Sequence, residues 1–422
     1  MEAIVVEGGR TITGTVRVGG AKNSALKLMA AALLAPGITT LRNVPDISDV
    51  GVMAEVLERL GAAVVRSDHT LTIDATSLTG HEAPYDLVVQ MRASTCVLGS
   101  LVGRLGRAHV AMPGGCNIGS RKVDIHIRGL MELGIAIETE HGYIDATGRA
   151  RGATVFLDFP SVGATENILM AAVLGDGTTV IENAAREPEI VDLAHFLSEM
   201  GACILGAGSP TITIAGVERL SPVDHTVVGD RIEAGTFLVA GALDSGPVTV
   251  TGFDPAHLDI VLQKLEQAGC TLVVGAREVT VSRTGPIRPV DVQTLPYPGF
   301  PTDMQAPFMA LMALAEGDCV ITENVFENRF MFADEIGRMG ADVRIDGHHA
   351  LIRGVRRLSG APVRSPDLRG GAALVLAGLA AQGRTVVTDI HHIDRGYEGF
   401  VDKMRSLGAE AVRVEVTDPE AA

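Results

Sequence analysis

The sequence repeats one pattern six times, with a period of about 70 residues. Each copy opens with a polar or charged residue and continues as a short, Ala-rich apolar segment that ends near glycine. These segments are 22–37, 92–106, 163–177, 233–246, 303–317 and 369–383. A strand-like run, a polar loop and an amphipathic segment follow each of them. The amphipathic segments close on glycines spaced 73, 67, 68, 71 and 68 residues apart, namely Gly61, Gly134, Gly201, Gly269, Gly340 and Gly408.

The two segments of each copy predict two different helices. An apolar segment of about 12 to 14 residues with almost no polar side is too short to span a bilayer and is typical of a helix inside a domain. The amphipathic segment predicts a helix that packs on one side, and its closing glycine is expected in the left-handed conformation. Another strand-like run follows each of these glycines.

A chain of 422 residues exceeds the size at which one hydrophobic core keeps growing, so we expect two domains of three copies each. The predicted fold class is α/β (α+β), with buried parallel helices inside each domain and sheets outside, an inside-out α/β barrel. The first domain is expected over 22–229 and the second over 1–21 plus 230–422. The strand-like runs at 4–6 and 15–18 are predicted to complete the last copy of the second domain.

In each copy, the start of the apolar helix and the polar loop are predicted to lie at the same face of the domain. If the helix runs away from that face, the next strand runs back to it. Helix N-termini present unpaired N–H groups and partial positive charge, which suit anions. Any one polar residue at this face is more often a solvated loop residue, but their recurrence favours a functional face. The helix starts contribute Lys22, Asn23, Arg92, Ser161, Thr165, Arg231, Glu233, Asp303, Asp367 and Arg369. The loops contribute Asp46, Asp49, Cys116, Arg121, Arg186, Glu187, Glu189, Asp254, Glu327, Asn328, Arg329, Asp394 and Arg395.

Cys116 is the cysteine whose surroundings point to chemistry. The Pro-Gly-Gly sequence at 113–115 breaks the preceding strand-like run and predicts an exposed, deformable lid loop, and Arg121 could favour the thiolate. A lone cysteine is more often a small buried hydrophobic residue. We interpret the other four in that way; they are Cys96, Cys203, Cys270 and Cys319. Five cysteines without a CxxC pair predict neither disulfides nor a zinc site, which fits a reducing cytosol.

The net charge of −16, from 35 Lys and Arg against 51 Asp and Glu, opposes non-specific binding to nucleic acid or to an anionic membrane. Any phosphate site must therefore be a local basic pocket. The first residues predict a strand rather than a signal peptide, and no apolar run approaches the roughly 18 residues that span a bilayer. We expect a cytoplasmic protein with no nucleic-acid or membrane partner. The oligomeric state stays open, with a monomer expected.

Six ordered motifs between residues 6 and 412 resemble the UDP-N-acetylglucosamine 1-carboxyvinyltransferase family. They are GAKNSA at 20–25, PGGCNIG at 113–119, SVGAT at 161–165, FPTDMQ at 300–305, ENVFENR at 323–329 and HIDRGYE at 392–398. The related shikimate-pathway enolpyruvyl transferases share the fold but have a different lysine motif and lack the cysteine loop. The resemblance implies transfer of enolpyruvyl from phosphoenolpyruvate to the 3-hydroxyl of UDP-N-acetylglucosamine, with release of phosphate and without a metal or organic cofactor. This reaction is the first committed step of peptidoglycan synthesis, and through it serves cell-wall biogenesis, cell shape and cell division.

The resemblance also implies roles for the matching residues. Cys116 would deliver a proton to the methylene carbon of phosphoenolpyruvate, can form a covalent adduct and is the target of fosfomycin, while Asp303 would take the proton of the sugar hydroxyl. With these two, the implied catalytic residues include Lys22 and Arg395. Lys22, Arg121 and Arg395 would hold the phosphate, Arg329 and Arg369 the carboxylate, and Asn23 lies beside them. The sugar nucleotide would contact Asn23, Arg92, Arg121, Lys122, Val123, Asp124, Ile125, His126, Ser161, Val162, Gly163, Asp303 and Val325.

Two alternatives remain at this stage. The family usually has proline directly after the loop arginine, beside the uracil, whereas this chain has Lys122. That departure admits a secondary-metabolism enolpyruvyl transferase that acts on another uridine compound. Six repeats and a negative charge also describe a ring-shaped DNA clamp, but a clamp lines its bore with basic helices, and here the first helix of each copy is apolar.

Overall fold

The computed structural model describes residues 2–112, 123–244 and 246–416. In chain order, the strands within these residues are β1 (Glu2–Glu7), β2 (Gly14–Arg17), β3 (Ile38–Arg42), β4 (Ala63–Ser67), β5 (Thr70–Asp74), β6 (Glu82–Ala83), β7 (Arg107–Ala111), β8 (Ala136–Glu140), β9 (Tyr143–Thr147), β10 (Thr154–Phe156), β11 (Thr178–Glu182), β12 (Cys203–Leu205), β13 (Thr211–Ala215), β14 (Asp224–Thr226), β15 (Val248–Thr251), β16 (Thr271–Val274), β17 (Glu278–Ser282), β18 (Val292–Gln293), β19 (Asp318–Thr322), β20 (Asp342–Asp346), β21 (His349–Arg353), β22 (Pro362–Arg364), β23 (Arg384–Thr388) and β24 (Glu410–Glu415).

The helices of the described residues fall into core and outer sets. The core helices are α1 (Lys22–Ala32), α4 (Val97–Leu105), α6 (Val162–Ala172), α8 (Arg231–Leu243), α10 (Gln305–Met312) and α12 (Leu368–Ala380). The outer helices are α2 (Ser48–Arg59), α5 (Asp124–Glu132), α7 (Pro188–Glu199), α9 (Asp259–Gln267), α11 (Phe332–Arg338) and α14 (Phe400–Ser406), with the short α3 (Tyr85–Val88) and α13 (His391–Asp394) beside them. Three 3₁₀ turns cover Arg92–Cys96, Pro255–Leu258 and Thr302–Met304. None of these helices is long and apolar enough to cross a membrane.

The described strands form six sheets of four strands each, and all six share one plan. The strand that follows a core helix has a parallel neighbour at the sheet edge on one side and an antiparallel neighbour on the other, which pairs in turn with the second edge strand. The strand orders are β14-β3-β5-β4, β6-β7-β9-β8, β10-β11-β13-β12, β16-β17-β15-β2, β18-β19-β21-β20 and β22-β23-β1-β24. The repeated pattern of the sequence is therefore a repeated structural unit.

The N-terminal strands join two different copies. β1 pairs antiparallel with β23 and β24 and so completes the last sheet, as predicted. β2 instead runs parallel to β15, with Val16 opposite Val250, in the sheet of the fourth copy. The prediction that both runs complete the last copy was wrong for β2, since it supplies the parallel edge strand that the fourth copy lacks.

The chain forms two compact units. The first unit comprises residues 20–112 and 123–228, and the second comprises 2–19 and 229–416 without 245. Within the described residues, the chain passes from one unit to the other between 19 and 20 and between 228 and 229. The sequence predicts these crossings after 21 and after 229.

Each unit buries its own three core helices. In the first unit, α4 lies so close to α6 that a Cβ at Gly99 would be 2.4 Å from the carbonyl oxygen of Asn167. In the second unit, every residue of α8 is buried, including Arg231 and Glu233. Core burial of the apolar helices, expected from their missing polar side, is confirmed.

The six closing glycines all have positive φ, between 81° and 108°, as expected for residues that end a helix in the left-handed conformation. The prediction for the cysteines was correct for Cys96, Cys270 and Cys319, which are buried, and wrong for Cys203, which is exposed. Cys203 lies on the edge strand β12, where the neighbouring Ile204 packs on the core. Because side chains alternate along a strand, Cys203 points the other way.

Candidate active site

Lys22 is the first residue of α1 and lies buried at the start of that core helix. Its Nζ is 2.6 Å from Oδ2 of Asp49, a buried residue in the first turn of α2. The preceding residue, Ala21, offers no side-chain cap to the helix. A lysine that is paired with Asp49 therefore lies at the positive end of a helix dipole, with partly buried Asn23 next to it.

The start of α6 is organised by Ser161, whose Oγ accepts a hydrogen bond from the Ala164 N–H at 3.3 Å. Val162 and Gly163 form the first turn. Gly163 lies directly against the ring of His126, because a Cβ there would be 2.7 Å from the ring Cε1. Only glycine allows this approach.

Residues 123–126 enter α5 at the edge of the described structure. Val123 is buried, Asp124 is exposed, and Ile125 and His126 are partly buried. Burial, together with the nearby cations Arg92 and Lys27, lowers the pKa of His126 to about 4. The ring is therefore neutral near pH 7. It lies among residues that are predicted from the sequence to bind the sugar nucleotide.

In the second unit, Asp303 lies between two arginines. Oδ1 of Asp303 is 2.6 Å from Nη2 of Arg329, and Oδ2 is 3.0 Å from Nη2 and 3.3 Å from Nε of Arg369. Both guanidinium groups are almost fully buried, whereas the Asp303 side chain is 22% exposed. Arg329 Nε and Arg369 Nη1 are buried and have no hydrogen-bond partner among the described residues. Two cations with unused donors beside one carboxylate suit a second anion.

The guanidinium group of Arg369 lies over an aromatic ring. Its guanidinium carbon lies 5.1 Å from the centre of the Tyr397 ring, and the Tyr397 hydroxyl is 2.9 Å from Thr236 Oγ1 on α8. Burial acts to lower the pKa of Arg369, but Tyr397 and Asp303 outweigh it and raise that pKa above its ordinary value. Arg369 is therefore a permanent cation.

Glu323 connects the Val325 segment to the arginine pair. Its buried carboxylate accepts hydrogen bonds from Thr294 Oγ1 and the Val325 N–H, each at 2.8 Å, and from the Phe326 N–H at 3.1 Å. Its other oxygen accepts from Thr302 Oγ1 at 2.8 Å, and the same hydroxyl accepts from Arg329 Nη1 at 2.9 Å. Glu323 thus fixes both the Val325 backbone and one side of Arg329.

Arg395 directly follows α13 and is partly buried. Its neighbour Asp394 accepts two hydrogen bonds from Arg413, at 3.0 and 2.7 Å. This ion pair ties α13 to β24 and so fixes the backbone that carries Arg395.

Within the first unit, the structure brings the Gly163 turn and His126 together; within the second, it brings Asp303, Arg329 and Arg369 together, with Val325 connected through Glu323. Cys116, Arg121 and Lys122 lie outside the described residues. Four residues that support the site were not predicted from the sequence, namely Asn167, Glu323, Thr302 and Tyr397. The last three lie inside the quoted motifs, which is the signal that could have found them.

Six copies of a helix-and-sheet unit, with an aspartate between two buried arginines at a core-helix start, define an enolpyruvyl transferase. The family of EPSP synthase (3-phosphoshikimate 1-carboxyvinyltransferase) matches residues 6–404. The fold is similar to that of the enolpyruvyl transferase NikO from Streptomyces tendae, with a TM-score of 0.89 and 30% identity over 98% of this chain and 99% of that chain. EPSP synthase from Acinetobacter baumannii has the same fold, with a TM-score of 0.75, 16% identity and coverage of 98% and 100%.

Sequence relatives show which enolpyruvyl transferase family the chain belongs to. The chain is 55% identical to the UDP-N-acetylglucosamine 1-carboxyvinyltransferase of Corynebacterium jeikeium, over 98% of this chain and 99% of that protein. It is 52% identical to the enzyme of the same name from Desulfatibacillum aliphaticivorans, over 98% and 100%. The chain belongs to the UDP-N-acetylglucosamine 1-carboxyvinyltransferase family. These similarities leave no support for the DNA clamp considered above.

Proposed function

We propose that the protein transfers the enolpyruvyl group of phosphoenolpyruvate to the 3-hydroxyl of UDP-N-acetylglucosamine and releases phosphate. Family membership and the six motifs support this reaction, the first committed step of peptidoglycan synthesis in the cytoplasm. The observation that carries the proposal is the placement of Asp303 between Arg329 and Arg369, two buried cations that retain unused N–H donors.

The carboxylate of phosphoenolpyruvate would bind Arg329 and Arg369. A guanidinium donates two parallel hydrogen bonds to a carboxylate, and burial strengthens that interaction because water does not compete. Lys22, Arg121 and Arg395 would bind the phosphate, whose charge must be neutralised as it leaves. Lys22 lies at the start of α1, where the partial positive charge of the helix dipole adds to its own charge.

Two proton transfers are needed to join the substrates. Asp303 would accept the proton of the sugar 3-hydroxyl while that oxygen attacks C2 of phosphoenolpyruvate, and Cys116 would give a proton to the C3 methylene. The resulting phosphate-bearing ketal then loses phosphate, which leaves C2 with the proton that Asp303 took up, and the Cys116 thiolate takes back a proton from the new methyl group, which restores the vinyl group. Atoms and charges balance without an oxidant, a reductant or a metal.

The sugar nucleotide would bind mainly through Asn23, Arg92, the turn at 161–163 and residues 121–126, with Val325 and Asp303 near its sugar. Val162, Gly163 and Val325 would contact it through backbone groups, since their side chains offer no hydrogen bond. Described side chains of this set that can donate a hydrogen bond include Asn23, Arg92, Ser161 and His126.

A phosphate-release assay with phosphoenolpyruvate and a panel of uridine compounds tests the proposal. We expect turnover with UDP-N-acetylglucosamine well above that with UDP-glucose, UDP-N-acetylgalactosamine or UMP. The panel includes UMP because Lys122 stands where the family usually has proline. Faster turnover with another uridine compound would assign the chain to that substrate, and no phosphate release with any of them would refute enolpyruvyl transfer.

A further inference from the structure

Asn167 is a fully buried polar residue on the core helix α6. It contacts three separate elements of the first unit. Its Oδ1 is 2.7 Å from the Gly99 nitrogen on α4, and its Nδ2 is 3.2 Å from the Gly163 carbonyl oxygen on α6. The same Nδ2 is 2.9 Å from Nδ1 of His126 on α5.

The backbone contacts fix which way the Asn167 amide points. The Gly99 N–H can only donate a hydrogen bond, so the side-chain atom that faces it must be the oxygen. The Gly163 carbonyl can only accept, so the atom that faces it must be the nitrogen. Rotating the amide by 180° would place its NH2 against the Gly99 N–H and its oxygen against the Gly163 carbonyl. Both hydrogen bonds would then be lost at a buried site, where water cannot replace them.

This orientation determines the proton position on His126. The amide nitrogen has two hydrogens, one for Gly163 and one for the imidazole, so His126 Nδ1 must accept. A neutral imidazole that accepts at Nδ1 carries its hydrogen on Nε2. A protonated ring would oppose its Nδ1–H to the amide N–H.

The surrounding charges favour the same neutral form. Burial has the largest effect and lowers the pKa of His126. The cations Arg92 and Lys27 lower that pKa further, while Asp124 acts in the opposite direction. Glu166, which also lies on α6, is paired with Lys27 at 2.8 Å. Among the described residues, His126 Nε2 has no hydrogen-bond partner. The Cε1–Nε2 edge of the ring lies against Gly163, where a Cβ would be 2.7 Å from Cε1 and 3.1 Å from Nε2.

We propose that Asn167 is a positioning residue that holds His126 as the neutral Nε2–H tautomer, so that the ring presents a hydrogen-bond donor to an acceptor on the sugar nucleotide. The inference rests on the proposed function for the identity of that ligand. Asn167 itself is buried behind the ring and acts through it. The affinity for the sugar nucleotide therefore depends on the Asn167 side chain, although that side chain does not contact the sugar nucleotide.

The tautomer can be observed directly by NMR of protein labelled with ¹⁵N at histidine. The His126 signal is assigned by its loss in the His126→Gln variant. We expect the wild-type spectrum at pH 7 to show an unprotonated Nδ1 and a protonated Nε2. A proton on Nδ1 would overturn the proposal without any Asn167 variant.

A double-mutant cycle separates tautomer control from a packing role. Asn167→Asp replaces the donor with an acceptor, which should draw a proton onto His126 Nδ1 and weaken UDP-N-acetylglucosamine binding about tenfold, measured by calorimetry. In the His126→Gln background, glutamine at position 126 has no tautomers. Its side-chain NH2 can donate a hydrogen bond from a position similar to that of His126 Nε2, whatever residue stands at 167. The same Asn167→Asp change should cost less than about twofold there. Equal losses in both backgrounds would make Asn167 a packing residue and refute the proposal.

These outcomes differ from a failure of the proposed function. If wild-type protein releases no phosphate and does not bind UDP-N-acetylglucosamine, the substrate assignment fails whatever the tautomer. If wild-type protein is active and the NMR spectrum or the cycle gives the contrary result, only the role of Asn167 fails.

Discussion

Arg369 contacts one oxygen of Asp303 with two nitrogen atoms, Nη2 at 3.0 Å and Nε at 3.3 Å. Arg329 contacts the other oxygen, so both carboxylate oxygens of the proposed proton acceptor accept hydrogen bonds from arginine. The carboxylate of phosphoenolpyruvate would compete with Asp303 for the same guanidinium groups. Substrate binding would then loosen Asp303 from them and free it to accept a proton.

Asp303→Asn should therefore separate catalysis from binding. We expect turnover to fall about 10²- to 10⁴-fold, because an amide cannot accept the hydroxyl proton. The affinity for phosphoenolpyruvate, measured by calorimetry with saturating sugar nucleotide, should stay equal or rise, since the arginines lose a competing anion. Parallel loss of turnover and affinity would show that Asp303 chiefly orders the arginines.

A second prediction compares two threonines that both donate to Glu323. Thr302 also accepts from Arg329 Nη1, whereas Thr294 accepts from the Asn324 N–H instead. Thr302→Val should raise the KM for phosphoenolpyruvate about three- to tenfold, because Arg329 loses a neutral acceptor that orients it. Thr294→Val is the matched control: it removes a hydrogen bond to the same carboxylate and should leave that KM within about twofold. Equal KM values for the two variants would exclude orientation through Thr302.

The repeat could be predicted from the sequence because it depends on local patterns. An apolar run predicts a buried helix wherever it occurs, and a helix-ending glycine has a local conformational cause, as Gly61 and Gly408 show. The edge strand β2 could not be assigned, because its pairing with β15 joins residues more than 230 positions apart, such as Val16 and Val250. A short strand carries no signal for which edge it will occupy.

The site was predictable in its residue types and unpredictable in its contacts. The motifs contain Asp303 and Arg329, and the family resemblance implies Arg369, but neither indicates that one carboxylate contacts both arginines. The role of the Asn167 amide could not be predicted, because Asn167 lies in an apolar segment that predicts a core helix. Its partners at 99 and 126 come within hydrogen-bond distance only when α4, α5 and α6 pack together. Polar groups inside a core are specified by tertiary hydrogen bonds, which a one-dimensional pattern does not contain.

Glu233 provides a prediction on pH and stability. Burial raises the pKa of this carboxyl from 4.5 to about 6, although Lys403, 2.6 Å away, acts to lower it. The folded protein thus holds the proton more tightly than the unfolded chain. This tighter proton binding by Glu233 stabilises the folded protein fully below pH 4.5, and the stabilisation is lost as the pH rises through 6.

Urea unfolding of wild type and Glu233→Gln across this range measures the effect. The free energy of unfolding of wild type minus that of the variant should fall by about 2 kcal/mol between pH 4 and pH 7. Glu278→Gln, at an exposed position of the same unit, controls for the loss of one charge. A difference that rises with pH would mean that the Lys403 attraction outweighs burial.

The cysteines should differ sharply in reactivity. Burial raises the pKa of Cys270 and of Cys319 to about 11 each, and raises that of Cys96 further, so these thiols are protonated and shielded near neutral pH. Fosfomycin should therefore label one residue, Cys116, as seen by peptide mass spectrometry at pH 7.5. Cys203→Ser, at the exposed thiol on β12, should leave both the label and turnover unchanged. Label on Cys203 in place of Cys116 would contradict this assignment.

The last prediction concerns what Cys116 supplies. A thiol with an ordinary pKa of about 8.5 keeps its proton near neutral pH and still releases it readily, whereas a serine hydroxyl is far too weak an acid. Cys116→Asp should keep substantial turnover with an acid-shifted pH optimum, because a carboxyl group must be protonated in order to donate, and it should resist fosfomycin. Cys116→Ser should lose about 10²- to 10⁴-fold in turnover. Calorimetry with UDP-N-acetylglucosamine shows whether each variant still binds its first substrate. An Asp variant as inactive as the Ser variant, with binding intact in both, would mean that the sulfur acts as a nucleophile and that a covalent adduct is obligatory.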